Sequence, residues 1–193
     1  MCQGIRNNAL MDSSKYQLMF REIIRRKHGV DIDFETIEKS LGHLRKGDPL
    51  NYNDLEIIAY EKYWPFKKYW MWPAKEQIEG QLAETKGIFI GPACEEKNDK
   101  KIIKKLSSIF RNIALVSIVL RFVWPEHYAI YSRPPLKILR VERGDNDLEE
   151  YMNYIREMRL LRKSFGVHRA ADIDTIIWVI SQRKRKEEYD EFL

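Results

Sequence analysis

Residues 122–139 contain the side chains of this chain with the greatest potential for chemistry. The segment reads FVWPEHYAIYSRPPLKIL and joins two helical patterns. Glu126 and His127 are residue types that serve as general acid and base. They are adjacent in the chain, however, and adjacent side chains usually point in different directions. An acid–base pair is therefore one interpretation of this segment, and it does not identify a reaction.

Two tyrosines and an arginine follow in the same segment. Tyr128 and Tyr131 are three residues apart, and Arg133 comes shortly after them. Phenol hydroxyls and a guanidinium can together line a site for an anion. The alternative is a corner fixed by prolines, in which the tyrosines cover the core and Arg133 pairs with a carboxylate. Both interpretations remain open at the level of sequence.

A second segment, residues 60–73, interleaves aromatic residues with lysines. It reads YEKYWPFKKYWMWP, with seven aromatics and three lysines. Aromatic rings can stack on nucleobases while neighbouring lysines contact phosphates, and Lys67 and Lys68 are the candidate contacts. Large aromatics are also the residues that dominate cores. Packing of this segment against neighbouring helices is therefore the alternative.

Basic residues recur after the proline-rich corner. Arg133, Lys137 and Arg140 are spaced by four and three residues, so they share one face if a helix starts at Ser132. The chain has a net charge of +5 and a pI of about 9.1, which permits an acidic partner such as nucleic acid without requiring one. The predicted nucleic-acid contacts, to DNA or RNA, are Lys67, Lys68, Tyr131, Arg133, Lys137 and Arg140.

Other motifs in the chain are weaker. The turn at Gly166-Val167 has part of the pattern with which a helix-hairpin-helix presents backbone amides to DNA, but His168 stands where a second glycine is expected. Cys94 is a candidate nucleophile, although the two glutamates that follow it disfavour a reactive thiolate. The two cysteines and four histidines show no zinc-ligand spacing. We therefore predict neither a metal nor a cofactor.

Helical patterns dominate the N-terminal half. Asp33 can cap one short helix, and Asn51 or Asn53 can cap the next. Pro73 is placed to be the first residue of a further, polar helix. Residues 88–92 are apolar enough for a strand but have no evident partner strand, so we expect an extended loop there.

The C-terminal half predicts a buried helix at the centre of the fold. Asp99 can cap a long helix over residues 100–123, and residues 113–123 are apolar nearly all round. Asp147 can cap a later helix. The last helix, which contains Trp178, is expected to bury that side chain together with Tyr131. We therefore predict an all-α fold in a single compact multi-helix domain.

Length and composition agree with one domain. The chain has 193 residues, of which 44% are hydrophobic and 33% are charged. We expect an N-terminal helical cluster over residues 1–92 and a C-terminal helical module over residues 93–193, forming one continuous domain. The longest apolar run contains Arg121 and is too short to span a membrane. Without a disulfide framework or a signal-peptide pattern, we expect a cytoplasmic protein with no membrane partner.

The C-terminal half also resembles a known type of protein. Residues 113–180 are similar to an all-helical module of small prokaryotic proteins, some of which are described as oxoguanine-DNA-glycosylase-like. The resemblance rests on Trp124-Pro125, Ile130-Tyr131, Tyr151, Asp174 and Trp178. It implies a helical fold and a role on DNA. This chain departs from the pattern because Ser132 stands where the family has Asp, and no catalytic Lys and Asp pair can be placed.

Two hypotheses on function follow. The first is a helical nucleic-acid-binding protein, in the form of a degenerate glycosylase-like module. The second is a protein–protein interaction module without catalytic activity, which the high Glu and Lys content also fits. The position of the basic residues in three dimensions discriminates between them, since one continuous basic face favours nucleic acid. A hydrolase or lyase that uses Glu126, His127 or Asp174 has the least support.

Overall fold

The computed structural model describes residues 13–29, 31, 33–59, 73–91 and 96–190. Within these ranges the regular structure is entirely helical, which confirms the all-α prediction. The α-helices are α1 (Ser13–His28), α2 (Phe34–Ser40), α3 (Tyr52–Ala59), α4 (Lys75–Leu82), α5 (Glu96–Phe110), α6 (Ile113–Val123), α7 (Arg133–Leu139), α8 (Asp147–Ser164) and α9 (Ala170–Asp190). Short 3-10 turns follow α2 at Leu41–Lys46 and α4 at Ala83–Thr85.

Helix α6 lies at the centre of the fold, as its composition predicts. Every residue from Leu115 to Val123 is buried. The helix contacts α2, the Leu41–Lys46 turn, α3, α5 and α8. The one charged residue in this stretch, Arg121, is buried and pairs with Glu38 at 2.6 Å. None of the helices in the described ranges is long and apolar enough to cross a bilayer.

The predicted single helix over residues 100–123 is wrong. The helix is interrupted at Arg111, which has a left-handed backbone (φ 52°), and at Asn112, which is extended. The Asn112 side chain accepts a hydrogen bond from the backbone amide of Ala114 at 2.9 Å and so caps α6. Because neither glycine nor proline marks the break, the apolar periodicity runs through it without a visible gap.

Helix caps follow the sequence signals in part. Asp33 caps α2 and Asn51 caps α3, each by accepting a backbone amide hydrogen bond, as predicted. Asp99 does not cap a helix, because α5 begins three residues earlier at Glu96. Asn146 caps α8 in place of Asp147, which is the first residue of the helix. Pro73 similarly precedes α4, which begins at Lys75.

The buried side chains of the described residues form two clusters. The main cluster joins apolar residues from both predicted segments of the chain, for example Ile37 with Val119. The second lies between α1 and α9, where Trp178 packs edge-on against Phe20 with ring centroids 4.9 Å apart. Tyr131 packs instead on Tyr151 of the main cluster. The prediction that Trp178 and Tyr131 pack together is therefore wrong, because α1 provides the surface that covers Trp178.

Candidate nucleic-acid interface

The turn between α6 and α7, residues 124–132, forms a packed corner. Tyr128 is fully buried, and its hydroxyl donates to Asp99 at 2.6 Å. Arg159 donates to both oxygens of the same carboxylate, at 2.5 and 3.0 Å. Asp99 is itself fully buried. Asp99, which the sequence predicts as a helix cap, therefore links α5 and α8 to the corner through charge-assisted hydrogen bonds.

A second carboxylate fixes the other side of the corner. Asp174 on α9 accepts hydrogen bonds from the Ile130 amide at 3.1 Å and from the Tyr154 hydroxyl at 2.9 Å. Burial raises the pKa of Asp174 to about 6. The Tyr151 hydroxyl donates to the carbonyl of Ala129 at 3.1 Å. Tyr151 and Asp174, two of the residues on which the family resemblance rests, therefore hold the corner backbone.

The residues suggested as an acid–base pair have different neighbours. A carboxylate oxygen of Glu126 lies 3.4 Å from a guanidinium nitrogen of Arg45. Burial, together with the positive charges of Arg159 and Arg162, lowers the pKa of His127 below its ordinary value. The lowered pKa favours the neutral form of the imidazole. These partners are those of a structural corner, and they do not assemble a reactive pair.

Tyr131 also has internal partners. Its hydroxyl donates to Glu150 at 2.8 Å, and its ring packs edge-on against Tyr151 at 5.7 Å between centroids. Burial and the hydrogen bond to Glu150 raise the pKa of Tyr131 well above its ordinary value. The side chain is half-buried. Its ring and hydroxyl are thus engaged within the protein, which makes it a weaker candidate for stacking on a base.

The basic residues after the corner are exposed. Arg133 and Lys137 lie one turn apart on α7, and no ion pair joins either to a carboxylate within the described ranges. Arg140 lies beyond the end of α7 with a left-handed backbone (φ 52°). The expectation that all three share one helical face is therefore wrong for Arg140. Lys67 and Lys68 lie outside the described residues.

The helix-hairpin-helix interpretation fails on its backbone amides. Gly166 has a left-handed backbone (φ 64°) and donates to the Lys163 carbonyl at 3.3 Å. Val167 donates to the Arg162 carbonyl at 3.0 Å. These are the hydrogen bonds of a common C-terminal helix cap with a left-handed glycine. Both amides are occupied by α8 itself and are not presented to a phosphate. The candidate nucleophile Cys94 lies outside the described residues.

Helix α5 carries a row of exposed lysines that the predicted contacts do not include. Lys97, Lys100, Lys101 and Lys104 are all exposed, and we call them the lysine face. At about 100° per residue they occupy an arc of roughly 100°. The opposite side of α5 is buried against the core and contains Ile102, Ile103, Leu106, Ile109 and Phe110.

The acidic residues near the lysine face are already engaged. Helix α5 contains two acids, Glu96 and Asp99, which pair with Arg156 and Arg159 of α8. A fifth lysine on the helix, Lys105, pairs with Glu84. Within the part of the chain that the structure describes, the four lysines of the face have no carboxylate partner. Their positive charges are therefore presented to solvent.

The signal for the lysine face is present in the sequence. The pattern K-x-x-K-K-x-x-K places basic residues at helical spacing opposite an apolar stripe. It is obscured when residues 100–123 are taken as one long helix, because the apolar second half dominates the pattern. The sequence does not show that both acidic residues of α5 form ion pairs with α8 and therefore do not pair with the lysines.

Comparisons with known protein families, curated proteins and solved structures found no match.

Proposed function

We propose that the protein binds nucleic acid through the lysine face of α5. The observation that carries this proposal is that Lys97, Lys100, Lys101 and Lys104 form one exposed row without carboxylate partners in the described ranges. Phosphates are the complementary ligand for such a row, since each ammonium can neutralise one backbone phosphate and release its counterion.

The chemistry of the face favours nucleic acid over other acidic partners. A membrane-binding helix inserts its apolar side into lipid, but the apolar side of α5 is buried in the core. Lysine is depleted at the centres of protein–protein interfaces, because its ammonium is strongly hydrated and its side chain flexible. Lysine and arginine side chains supply many of the contacts to phosphate oxygens in complexes with nucleic acid. A sequence-independent contact with the backbone of the nucleic acid is the mode that these residues fit.

Helix α7 offers a second set of contacts. Arg133 and Lys137 are exposed on one face of that helix. They belong to the contacts predicted from the sequence, and they extend the proposed interface if both helices meet one strand. Separate substitution of the two sets tests this arrangement directly.

Salt-dependent affinity is the appropriate test. A labelled single-stranded oligonucleotide is titrated with the unaltered protein and with a variant carrying Lys→Gln at all four positions of the lysine face. The logarithm of affinity falls with the logarithm of salt concentration by about 0.7 per phosphate neutralised on a single strand. The variant should bind more weakly, with a slope shallower by roughly 3. A parallel variant with Arg133→Gln and Lys137→Gln measures the share of α7.

A matched control separates position from net charge. Lys15, Lys39, Lys46 and Lys75 are exposed and lie outside the lysine face. Their substitution by Gln also changes the net charge from +5 to 5 − 4 = +1. We expect this variant to retain most of the affinity and the slope. Equal losses in the two quadruple variants would show that only net charge matters. Absence of binding by the unaltered protein at low salt would favour a protein partner.

A further inference from the structure

A pocket opens beside the lysine face. It has a volume of about 550 Å³ and lies between α5 and the turn that follows the Ala83–Thr85 helix. Ile88, Ile90 and Ile102 contribute its apolar surface among the described residues. Ile90 is 63% exposed, which is unusual for a side chain of this size. The volume is in the range of clefts that hold drug-sized ligands, so the pocket has room for a nucleotide.

The wall of the pocket is anchored in the core. Phe89, between the two isoleucines of the turn, is 1% exposed and packs in the main cluster. The amide of Gly87 donates to the carbonyl of Gly47 at 3.1 Å, which ties the turn to the Leu41–Lys46 helix end. The backbone that carries Ile90 is therefore held in place, and the Ile90 side chain lies beside Gly47 at the surface.

The rim of the pocket is positively charged. Lys86, Lys101 and Lys105 line it, and Glu84 pairs with Lys105 and offsets one of these charges. A ligand that combines apolar surface with a negative charge is complementary to this lining. Lys101 belongs to both the rim and the lysine face, so a strand on the lysine face passes the mouth of the pocket.

We infer that this pocket takes one unpaired base of a strand whose phosphates lie along the lysine face. Each nucleotide of a single strand has a flat base with largely apolar faces and one negative phosphate, which matches the isoleucines and the lysine rim. In a duplex the bases are stacked and paired, and reaching the pocket costs the unstacking of one of them. This inference rests on the proposed function and adds a preference for single strands.

Two probes with the same phosphates test the inference. One is an oligothymidylate strand, and the other is an abasic strand of equal length. We expect the unaltered protein to bind the oligothymidylate about five- to tenfold more tightly. This is the lower end of what stacking of a base on an aromatic ring contributes, because isoleucines take the place of the ring here. The variant Ile88→Ala/Ile90→Ala should bind both strands equally, with the salt dependence unchanged. The single variant Ile90→Ala should reduce the difference in affinity between the two strands in part. It removes only an exposed side chain.

Leu18→Ala is the matched control, because Leu18 is 66% exposed on α1, away from the pocket. It should keep the difference between the two strands. Equal binding of both strands by the unaltered protein would refute the pocket and leave the proposed function standing. Binding of neither strand at low salt would refute the proposed function, and the pocket inference with it. A loss of discrimination in Leu18→Ala as large as in the pocket variants would also refute the pocket.

Discussion

The corner and the lysine face use charged residues in opposite ways. At the corner, Asp99 and Asp174 are buried, and each is satisfied by donors from other elements. On the lysine face, the four ammonium groups have no carboxylate partner within the described ranges. Charge at the corner specifies how helices meet, whereas charge on the lysine face is exposed to solvent.

This difference shows why a count of basic residues does not locate an interface. Arg159 and Arg162 lie on α8, which packs against α5. Arg159 donates to Asp99 of α5, and both arginines donate to backbone carbonyls of the corner. An arginine that is occupied internally adds to the net charge and little to binding. The informative quantity is the charge that remains after internal pairing, and only the structure supplies it.

Removing Asp99 should produce the largest effect on stability. Asp99→Ala leaves the guanidinium of Arg159 and the hydroxyl of Tyr128 without their acceptor in a buried site. We expect the free energy of unfolding to fall by about 3–5 kcal/mol, as when one partner of a buried pair is deleted. Urea unfolding measures this loss. A double-mutant cycle with Arg159→Met should show strong coupling, and additive losses would contradict the network.

The pH dependence of the free energy of unfolding should reveal the raised pKa of Asp174. Burial raises its pKa to about 6 from 3.8, so the folded protein binds a proton between these values that the unfolded chain does not. The stability from this group is therefore present below about pH 4 and is lost as pH rises through about 6, by up to roughly 3 kcal/mol. The difference in unfolding free energy between the unaltered protein and Asp174→Asn should follow this course. A difference that is constant from pH 4 to 7 would show that Asp174 titrates normally.

A smaller effect is expected at Tyr131, the predicted contact that lies in the corner. Tyr131→Phe removes the hydrogen bond to Glu150 and keeps the ring against Tyr151. The free energy of unfolding should fall by about 1 kcal/mol. Affinity for an oligonucleotide should not change. A clear loss of affinity with unchanged stability would place Tyr131 in the interface and reverse its assignment to the corner.

The smallest effect is expected at Glu96, the exposed acid next to the lysine face. Its ion pair with Arg156 is 3.3 Å long and well exposed, so Glu96→Gln should change stability by less than about 0.5 kcal/mol. Nucleic-acid affinity should rise by about twofold at low salt, because one negative charge is removed. Thermal melting and the same oligonucleotide titration provide the two measurements. A weaker affinity would indicate that the acid positions the lysines.

Much of the fold follows from the sequence because helix signals are local. Asp33 and Asn51 cap helices where capping residues are expected, and the all-round apolarity of residues 113–123 identifies the central helix. The break at Arg111 and Asn112 is not predictable in this way. It needs a left-handed arginine, which carries a cost that only the packing of the two helices offsets.

The candidate site is less predictable, because it depends on which charges meet. Lys97 and Lys104 are identifiable as helix-surface residues from their spacing, but so are most lysines. The pairing of Glu96 and Asp99 with α8 joins residues 60 apart in the chain, and no local pattern reports it. Trp178 shows the same limit, since its partner Phe20 lies at the other end of the described chain.

The break at residues 111–112 also has a consequence for the order of folding. It lets α5 turn back onto α6, so that the two helices form a hairpin whose contacts join residues close in sequence. Such local contacts close short loops, which costs less chain entropy than closing long ones. The long-range contacts of α8 and α9 then form on a hairpin of α5 and α6. In this hairpin the lysine face already lies on the exposed side of α5. We therefore expect the lysine face to form before the contacts that α8 and α9 make with the corner.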